Sequence, residues 1–143
     1  ALRDLSIEQL EFHKATLPGM VYRRCRFIIE ENQRVLDMAD ALTAGGRDQI
    51  SVLAAASYAG ARDLYEISCE EMELMMAAML SAPGVIGARQ AGAGFGGCMA
   101  AFVEQGQVEA FAWHVGERYQ ASSGIEPHAY PVSAAPGAGP LSW

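Results

Sequence analysis

Several residue types are scarce in this chain, and each scarcity narrows the range of functions. Lysine occurs once, at Lys14, and ten basic residues face seventeen acidic ones, which gives a formal net charge of −7. Nucleic-acid and anionic-membrane surfaces both need a basic footprint, so neither is expected as a partner. The one local basic cluster, at Arg23, Arg24 and Arg26, is followed closely by acidic residues. We interpret it as a solvated or ion-paired helix face.

Cysteine, histidine and long apolar runs are also limited. Cys25, Cys69 and Cys98 lack paired spacing, which argues against a disulfide framework or a zinc site, and the histidines are scattered, so no metal site is predicted. The longest apolar run, residues 85–103, contains Arg89 and is broken by glycines, so it is a poor transmembrane candidate. No signal peptide is visible, and we expect a cytoplasmic protein.

The composition is that of a globular protein. Apolar residues make up 51% and charged residues 19% of the 143-residue chain, which suits a single domain with its own core. Apolar spacing of three and four residues predicts helices, which we expect after Ser6, from Val21 to the glycine pair at 45–46, from Asp48, from Ser68 to about Leu80, and over residues 107–122.

Two of these predicted helices carry a distinct apolar stripe. The long one is predicted to bury a face that also contains Asn32, which we interpret as a satisfied amide that fixes helix register rather than as a ligand contact. The methionines of the helix ending near Leu80 are interpreted as core residues rather than as a partner groove. The predicted buried face of the long helix consists of Val21, Cys25, Ile28, Val35, Ala39 and Leu42.

The second half of the chain changes to strand-like segments. Residues 85–89 and 98–103 are short apolar runs on either side of a glycine-rich stretch, and residues 127–132 form a candidate last strand with Pro131 at an edge or bulge. Residues 134–140 have the composition of a terminal loop. The predicted fold class is α+β, with helices packed on one face of a small antiparallel sheet.

The glycine-rich stretch is the run GARQAGAGFGGC at residues 87–98. Gly92, Gly94, Gly96 and Gly97 lie within six positions, although each glycine costs backbone entropy and adds almost no apolar surface. Packing therefore does not explain them. Positive φ angles and close approach of backbone N–H groups to an anion such as a phosphate are uses that do.

Four interpretations of the run can be compared from the sequence. A dinucleotide fingerprint must open a helix, whereas here a strand follows, and a Walker A loop needs a lysine, whereas Lys14 lies far away. Both are excluded by context. A tight turn between two strands, which needs glycine only to bend, stays open beside a phosphate-binding loop.

Longer motifs give the chain a family. Residues 87–98 resemble the third motif of the GHMP small-molecule kinases, in the form typical of galactokinases, with both the Gly-Ala-Arg lead-in and the Phe-Gly-Gly-Cys ending present. Residues 21–26 with 31–32, and the run RDLYEIS at 62–68, resemble two further galactokinase segments in the same order. Residues 136–139 resemble the carboxyl-terminal end of that family. One departure is Tyr58, where the family usually has histidine.

The resemblance implies a ferredoxin-like GHMP kinase carboxyl-terminal domain over residues 1–143. Such an enzyme transfers the γ-phosphoryl group of ATP, with Mg²⁺, to the C1 hydroxyl of galactose. The residues carried over as nucleotide-binding are Gly92, Ala93, Gly94, Phe95, Gly96 and Gly97. Arg62, Asp63 and Glu66 are candidates for the substrate cleft, with helix capping and mutual pairing as the alternative. No residue of this chain is assigned a catalytic role.

The family's catalytic Asp, its Arg partner, most galactose contacts and its phosphate-cradling Gly-Leu-Ser-Ser-Ser loop belong to the amino-terminal domain, and none of these motifs occurs here. We therefore expect residues 1–143 to have no kinase activity by themselves, to meet the sugar through that missing domain and to self-associate through uncovered apolar surface. The alternatives are a kinase for another sugar and a standalone, non-catalytic binding or assembly module.

Overall fold

The computed structural model of the chain describes residues 1–92 and 94–135. Five α-helices and two β-strands follow one another there in the order expected for an α+β protein, which confirms the predicted class. Short 3-10 turns occupy Leu2–Asp4, Lys14–Thr16 and Gln105–Gln107, and a π-helical turn occupies Ala61–Tyr65. The helices are α1 (Ile7–Phe12), α2 (Gly19–Ala44), α3 (Arg47–Gly60), α4 (Glu70–Leu80) and α5 (Val108–Ser123), and the strands are β1 (Val85–Gln90) and β2 (Met99–Val103).

The ends of α1 and α2 follow the capping signals in the sequence. The Ser6 hydroxyl accepts a hydrogen bond from the Gln9 N–H, and the Gln9 side chain accepts one from the Ser6 N–H, which completes a capping box. Helix α2 ends at Gly45 with φ of +68°, a left-handed conformation that glycine adopts without strain. The chain therefore turns at once into α3, and the two helices pack together as a helical hairpin.

The buried face of α2 differs from the predicted one. Asn32 is exposed, Val35 is 56% exposed and Leu42 is 48% exposed, so neither the predicted stripe nor a buried Asn32 amide is present. The face that packs against α3 and the turn after it instead contains Phe27 and Ala41. Midway between them, seven residues from each, lies Arg34. A charged residue at the centre of the buried face explains why hydrophobic periodicity selected the wrong face.

Arg34 is tolerated inside this contact because an acidic neighbour on the same helix pairs with it. Its Nε donates to Glu31 Oε2 at 2.7 Å, and the two side chains are only 14% and 15% exposed. The Ser57 hydroxyl of α3 donates to Glu31 Oε1 at 2.6 Å. Helices α2 and α3 are thus joined by a polar contact between two apolar ones, rather than by a continuous apolar seam.

The largest apolar cluster lies between α3, α4, α5 and the sheet. Methionine fills much of it, with Met76 4% and Met79 5% exposed, which confirms the prediction that these methionines belong to the core. An unbranched thioether side chain adapts to irregular space between helices and strands. The other buried members are Tyr58, Ala78, Ala82, Ala88, Val115 and Tyr119.

The two strands form an antiparallel hairpin whose register places Gln90 opposite Met99 and Ala88 opposite Ala101. Ala88 lies in the large cluster and Met99 and Ala101 pack against it, whereas Ala100 and Phe102 are exposed. This alternation shows that helices cover one face of the sheet. No described helix is long and apolar enough to cross a lipid bilayer.

Helix α3 packs closely against β1 at Gly87, near the start of the β-hairpin. A Cβ atom at Gly87 would lie 2.9 Å from the Ala54 Cβ and 3.4 Å from the Ser51 Cα. Only glycine permits this packing distance. Gly87, the first residue of the glycine-rich run, is therefore explained by helix–strand packing. The later glycines are not, because a Cβ at Gly92, Gly96 or Gly97 would meet nothing within 4 Å.

Two local predictions are wrong. Residues 127–132 form no strand: Pro127 and Pro131 lack backbone donors for a ladder, and Val132 is 91% exposed. Helix α4 is preceded by Cys69 as its N-cap rather than by Ser68, because the Ser68 hydroxyl donates to Glu73 instead. The predicted terminal loop at 134–140 lies outside the described residues after 135.

Candidate functional site

The connection between β1 and β2, residues 91–98, will be called the glycine loop. The Ala91 N–H donates to the Cys98 carbonyl at 3.0 Å and closes the base of the loop. Above it, φ is +87° at Gly92, +127° at Gly96 and +104° at Gly97. Residues with a Cβ rarely adopt these angles, so the loop conformation requires glycine at all three positions.

The surface of the glycine loop is open. A Cβ atom at Gly92, Gly96 or Gly97 would meet nothing within 4 Å, and the Phe95 side chain is 73% exposed. The loop therefore presents open backbone at these three glycines beside the exposed Phe95 ring. Such a surface brings N–H groups close to a bulky anion, although the same φ values also suit a simple bend.

One buried side chain contacts the loop from the strand beneath it. Gln90, the last residue of β1, is 3% exposed, and its Nε2 donates to the Gly94 carbonyl at 2.7 Å. The Arg89 guanidinium donates through Nε to the Gln90 carbonyl at 3.2 Å. Sequence reasoning missed Gln90, because a polar residue at a strand end has no distinctive local pattern.

Arg89 also connects the loop to the helical layer. Its Nη2 lies 3.3 Å from Glu31 Oε1, the oxygen that accepts from Ser57. Glu31 therefore holds Arg34, Ser57 and Arg89 together, which fixes the approach of β1 to α2 and α3. In the sequence, Glu31 belongs to a family motif, but no local pattern indicates that Ser57 or Arg89 would contact it.

The other candidate residues lie in residues 61–68, which we call the helix junction. Glu66 has φ of +59°, the one positive φ at a described residue other than glycine. Its two carboxylate oxygens accept from Arg23 Nη2 at 2.9 Å and from Arg24 Nη2 at 2.8 Å. The basic cluster of the sequence is therefore ion-paired at this point, and Glu66 is held by it.

Arg62 and Asp63 pair with each other. Arg62 Nε donates to Asp63 Oδ1 at 2.7 Å, and this bond holds the pKa of the Asp63 carboxyl below its usual value. Arg62 also lies 3.7 Å from Glu73. Nearby, burial raises the pKa of Tyr58 to about 12, so the hydroxyl that stands in place of the family's histidine stays protonated.

The structure does not bring the three junction candidates to the glycine loop. A cavity of about 180 Å³ separates the two regions, and its lining includes Tyr65, Ile67, Arg89, Gln90 and Gly92 but none of the three candidates. Arg62 instead borders a second cavity, of about 340 Å³, between α3 and α4. Among residues 1–92 and 94–135, no cluster of three or more His, Cys, Asp or Glu side chains is placed to hold a metal ion.

The fold and the loop together define a class of protein. The family described as GHMP kinases C terminal matches residues 38–121, a span that begins within α2 and contains α3, α4, the hairpin and most of α5. The chain belongs to this family, as the motif resemblance implied.

Within the family, galactokinases are similar to this chain over nearly its whole length. Galactokinase of Roseiflexus sp. (strain RS-1) is 36% identical over 139 residues, covering 97% of this chain and 36% of the relative. Galactokinase of Enterococcus faecalis is 36% identical over 139 residues, with 96% and 36% covered. The crystal structure of Lactococcus lactis galactokinase complexed with galactose matches with a TM-score of 0.79 at 34% identity, over 88% of this chain and 33% of that one. The chain thus spans about a third of the length of these relatives.

Proposed function

We propose that residues 1–143 act as the carboxyl-terminal domain of a galactokinase, an enzyme that transfers the γ-phosphoryl group of ATP to the C1 hydroxyl of galactose. The bond between the β,γ-bridging oxygen and the γ-phosphorus breaks, a bond from the sugar oxygen to that phosphorus forms, and ADP leaves. A cytoplasmic location, where ATP is abundant, belongs to this proposal. Similarity to galactokinases along nearly the whole chain supports it.

The glycine loop is the observation that carries the proposal. Three glycines with positive φ expose backbone in a loop whose two ends are fixed by a hairpin ladder. Phosphoryl transfer depends mainly on holding the phosphates in position and offsetting their charge. We assign the first task, holding the phosphates, to the N–H groups around Gly92, Gly94, Phe95, Gly96 and Gly97; Ala93 is included on the family resemblance alone.

The described residues supply few groups that could offset the charge of the phosphates. Arg89, the one cation beside the loop among them, already pairs with Glu31, and the junction carboxylates pair with arginines. Mg²⁺, which draws charge from the phosphates when bound with ATP, has no set of carboxylate ligands among the described residues. We therefore assign metal binding and proton removal to the part of the enzyme outside this chain.

The test compares two polypeptides. The protein expressed from its complete reading frame should release ADP from MgATP in a galactose-dependent way, whereas residues 1–143 alone should release none. Glucose and N-acetylgalactosamine serve as competing substrates, because no described residue fixes the choice of sugar. If another sugar is turned over and galactose is not, that sugar takes the place of galactose in the proposal.

Calorimetry separates this proposal from the standalone binding module. If the complete reading frame encodes only this chain and the product neither binds MgATP nor turns it over, the kinase proposal fails. The substrate-cleft role of Arg62, Asp63 and Glu66 stays a prediction, which sugar KM values of their alanine variants would test.

Self-association also stays a prediction. Val35, Leu36 and Leu42 expose apolar side chains along the outer face of α2, and apolar surface of this kind favours contact between copies. Sedimentation of residues 1–143 over a hundredfold concentration range is expected to show dimers. A monomer throughout that range would contradict it.

A further inference from the structure

We propose that Gln90 is a positioning residue of the glycine loop, whose carboxamide turns the Gly94–Phe95 peptide so that the Phe95 N–H faces outward toward the phosphates. The inference deepens the proposed function and rests on it for the identity of the ligand. It concerns a side chain that neither the sequence motif nor the similarity to galactokinases singles out.

The first step is the direction of one peptide group. Gln90 Nε2 donates to the Gly94 carbonyl at 2.7 Å from a side chain that is only 3% exposed. That carbonyl therefore points inward, toward the buried end of β1. The described peptide bonds are all trans, and in a planar trans peptide the N–H points away from the carbonyl. The Phe95 N–H consequently points to the open side of the loop.

The second step is that core packing does not explain why the buried side chain at position 90 ends in a polar carboxamide. Gln90 Oε1 is buried and has no hydrogen-bond partner among the described residues. A buried amide that is only half satisfied costs free energy, and an apolar side chain of the same length would avoid that cost. The Gly94 carbonyl, at an exposed residue, could otherwise bond to water. The bond from Gln90 therefore serves the direction of the loop rather than the stability of the core.

The third step is the fixed base from which Gln90 acts. The residue ends β1 opposite Met99, and its own carbonyl accepts from Arg89, which pairs with Glu31 of α2. Its backbone is thus anchored to both the sheet and the helical layer. An anchored donor beneath a segment with four glycines lowers the number of loop conformations that binding has to select.

The kinetic test uses Gln90→Met in the protein expressed from its complete reading frame. This substitution keeps the length of the side chain and removes the donor. We expect the KM for ATP to rise about fivefold, the size of one lost hydrogen bond. The KM for galactose should stay unchanged, and the melting temperature should not fall. Gln120→Met, at an exposed position of α5, is the matched control and should change neither KM.

A structural role would give the opposite pattern. If Gln90 only stabilised the core, Gln90→Met would lower the melting temperature and leave the KM for ATP of the folded enzyme unchanged. Either an unchanged KM for ATP or an equal rise in both KM values would overturn the inference.

A spectroscopic test does not depend on kinase activity. Gly94–Phe95 is the one Gly-Phe pair in the 143-residue chain, so labelling with carbonyl-¹³C glycine and ¹⁵N phenylalanine isolates its signal within this region. Gln90→Met should move that signal, and Gln90→Glu should move it at neutral pH and restore it in acid, where the protonated carboxyl can donate again. A signal that does not move with Gln90→Met would overturn the inference even if the enzyme proved to be a galactokinase. A signal that moves in a protein without galactokinase activity would support the loop geometry and reject the proposed function.

Discussion

The glycine loop and the helix junction both carry backbone with positive φ, but they hold it in different ways. At the junction, Glu66 keeps φ of +59° although it has a Cβ, and two arginines bind its carboxylate. In the loop, Gly92, Gly96 and Gly97 reach positive φ with no side chain. Side-chain contacts stabilise the first conformation, whereas the second leaves open space around its glycines. The comparison separates a structural use of this conformation from the binding use that we propose for the loop.

The largest effect is expected in the loop. Gly96→Ala places a Cβ at φ of +127°, where nothing lies within 4 Å, so the cost is conformational rather than steric. That strain, about 1–3 kcal/mol, should weaken MgATP binding by about 5- to 150-fold, as measured by the KM for ATP. Gly106→Ala is the control, because its Cβ is also unobstructed but its φ is outside the left-handed region. Similar effects of the two substitutions would break the comparison.

The junction should respond in stability instead. Glu66→Ala keeps the unfavourable φ and removes both arginine pairs, so we expect a loss of about 1 kcal/mol in the free energy of unfolding, since these partly exposed pairs are weak. Glu66→Gly removes the same pairs but relieves the backbone, and should lose less. Urea denaturation of both variants measures the difference. A glycine variant less stable than the alanine variant would show that φ at this position is unimportant.

A third glycine shows what the substitution does where φ is ordinary. Gly116 lies within α5, and a Cβ there would meet nothing within 4 Å. Gly116→Ala should therefore raise the free energy of unfolding by about 0.5–1 kcal/mol, because alanine loses less backbone entropy in a helix. Thermal denaturation is the measurement, and a destabilised variant would contradict the assignment of this position to a regular, open helix face.

The last effect is a pH dependence beside the junction, and it is confined to alkaline pH. Burial raises the pKa of Tyr58 to about 12, above its value of about 10 in an unfolded chain. The contribution of Tyr58 to stability is therefore complete below pH 10 and is lost as the pH rises toward 12. Tyr58→Phe should remove this part of the alkaline loss, which denaturation curves of both proteins between pH 9 and pH 12 would show. Parallel losses in the two proteins would contradict the raised pKa.

The sequence predicted the helices, the hairpin and the family, and it failed where distant parts of the chain decide the outcome. Caps and glycines are local signals, so Ser6 and Gly45 marked helix ends correctly. The prediction of the buried face of α2 was wrong because Arg34 lies at the centre of that face. The burial of its partner Glu31 is explained only by the contacts of Glu31 with Ser57 and Arg89, which are distant in the sequence.

The candidate site was predictable to a similar degree. The glycine pattern lies within a short stretch of sequence, so the loop could be predicted from the sequence alone. Gln90 could not, because its role depends on strand register and on a bond to a carbonyl four residues later. Residues 127–132 have the apolar composition of a strand, but Pro127 and Pro131 lack the backbone donors that a strand ladder needs.

The exposed outer face of the hairpin has a consequence for the order in which the protein opens on heating. Strand β1 packs closely on α3 through Gly87, but β2 exposes Ala100 and Phe102 and is joined to β1 through a segment rich in glycine. Each glycine of that segment loses more backbone entropy on ordering than a helical residue does, so β2 is expected to detach in a local opening that leaves the helical core folded. Amides of β2 should therefore exchange with deuterium before those of α3, and nucleotide binding should be lost at a temperature below that of global unfolding.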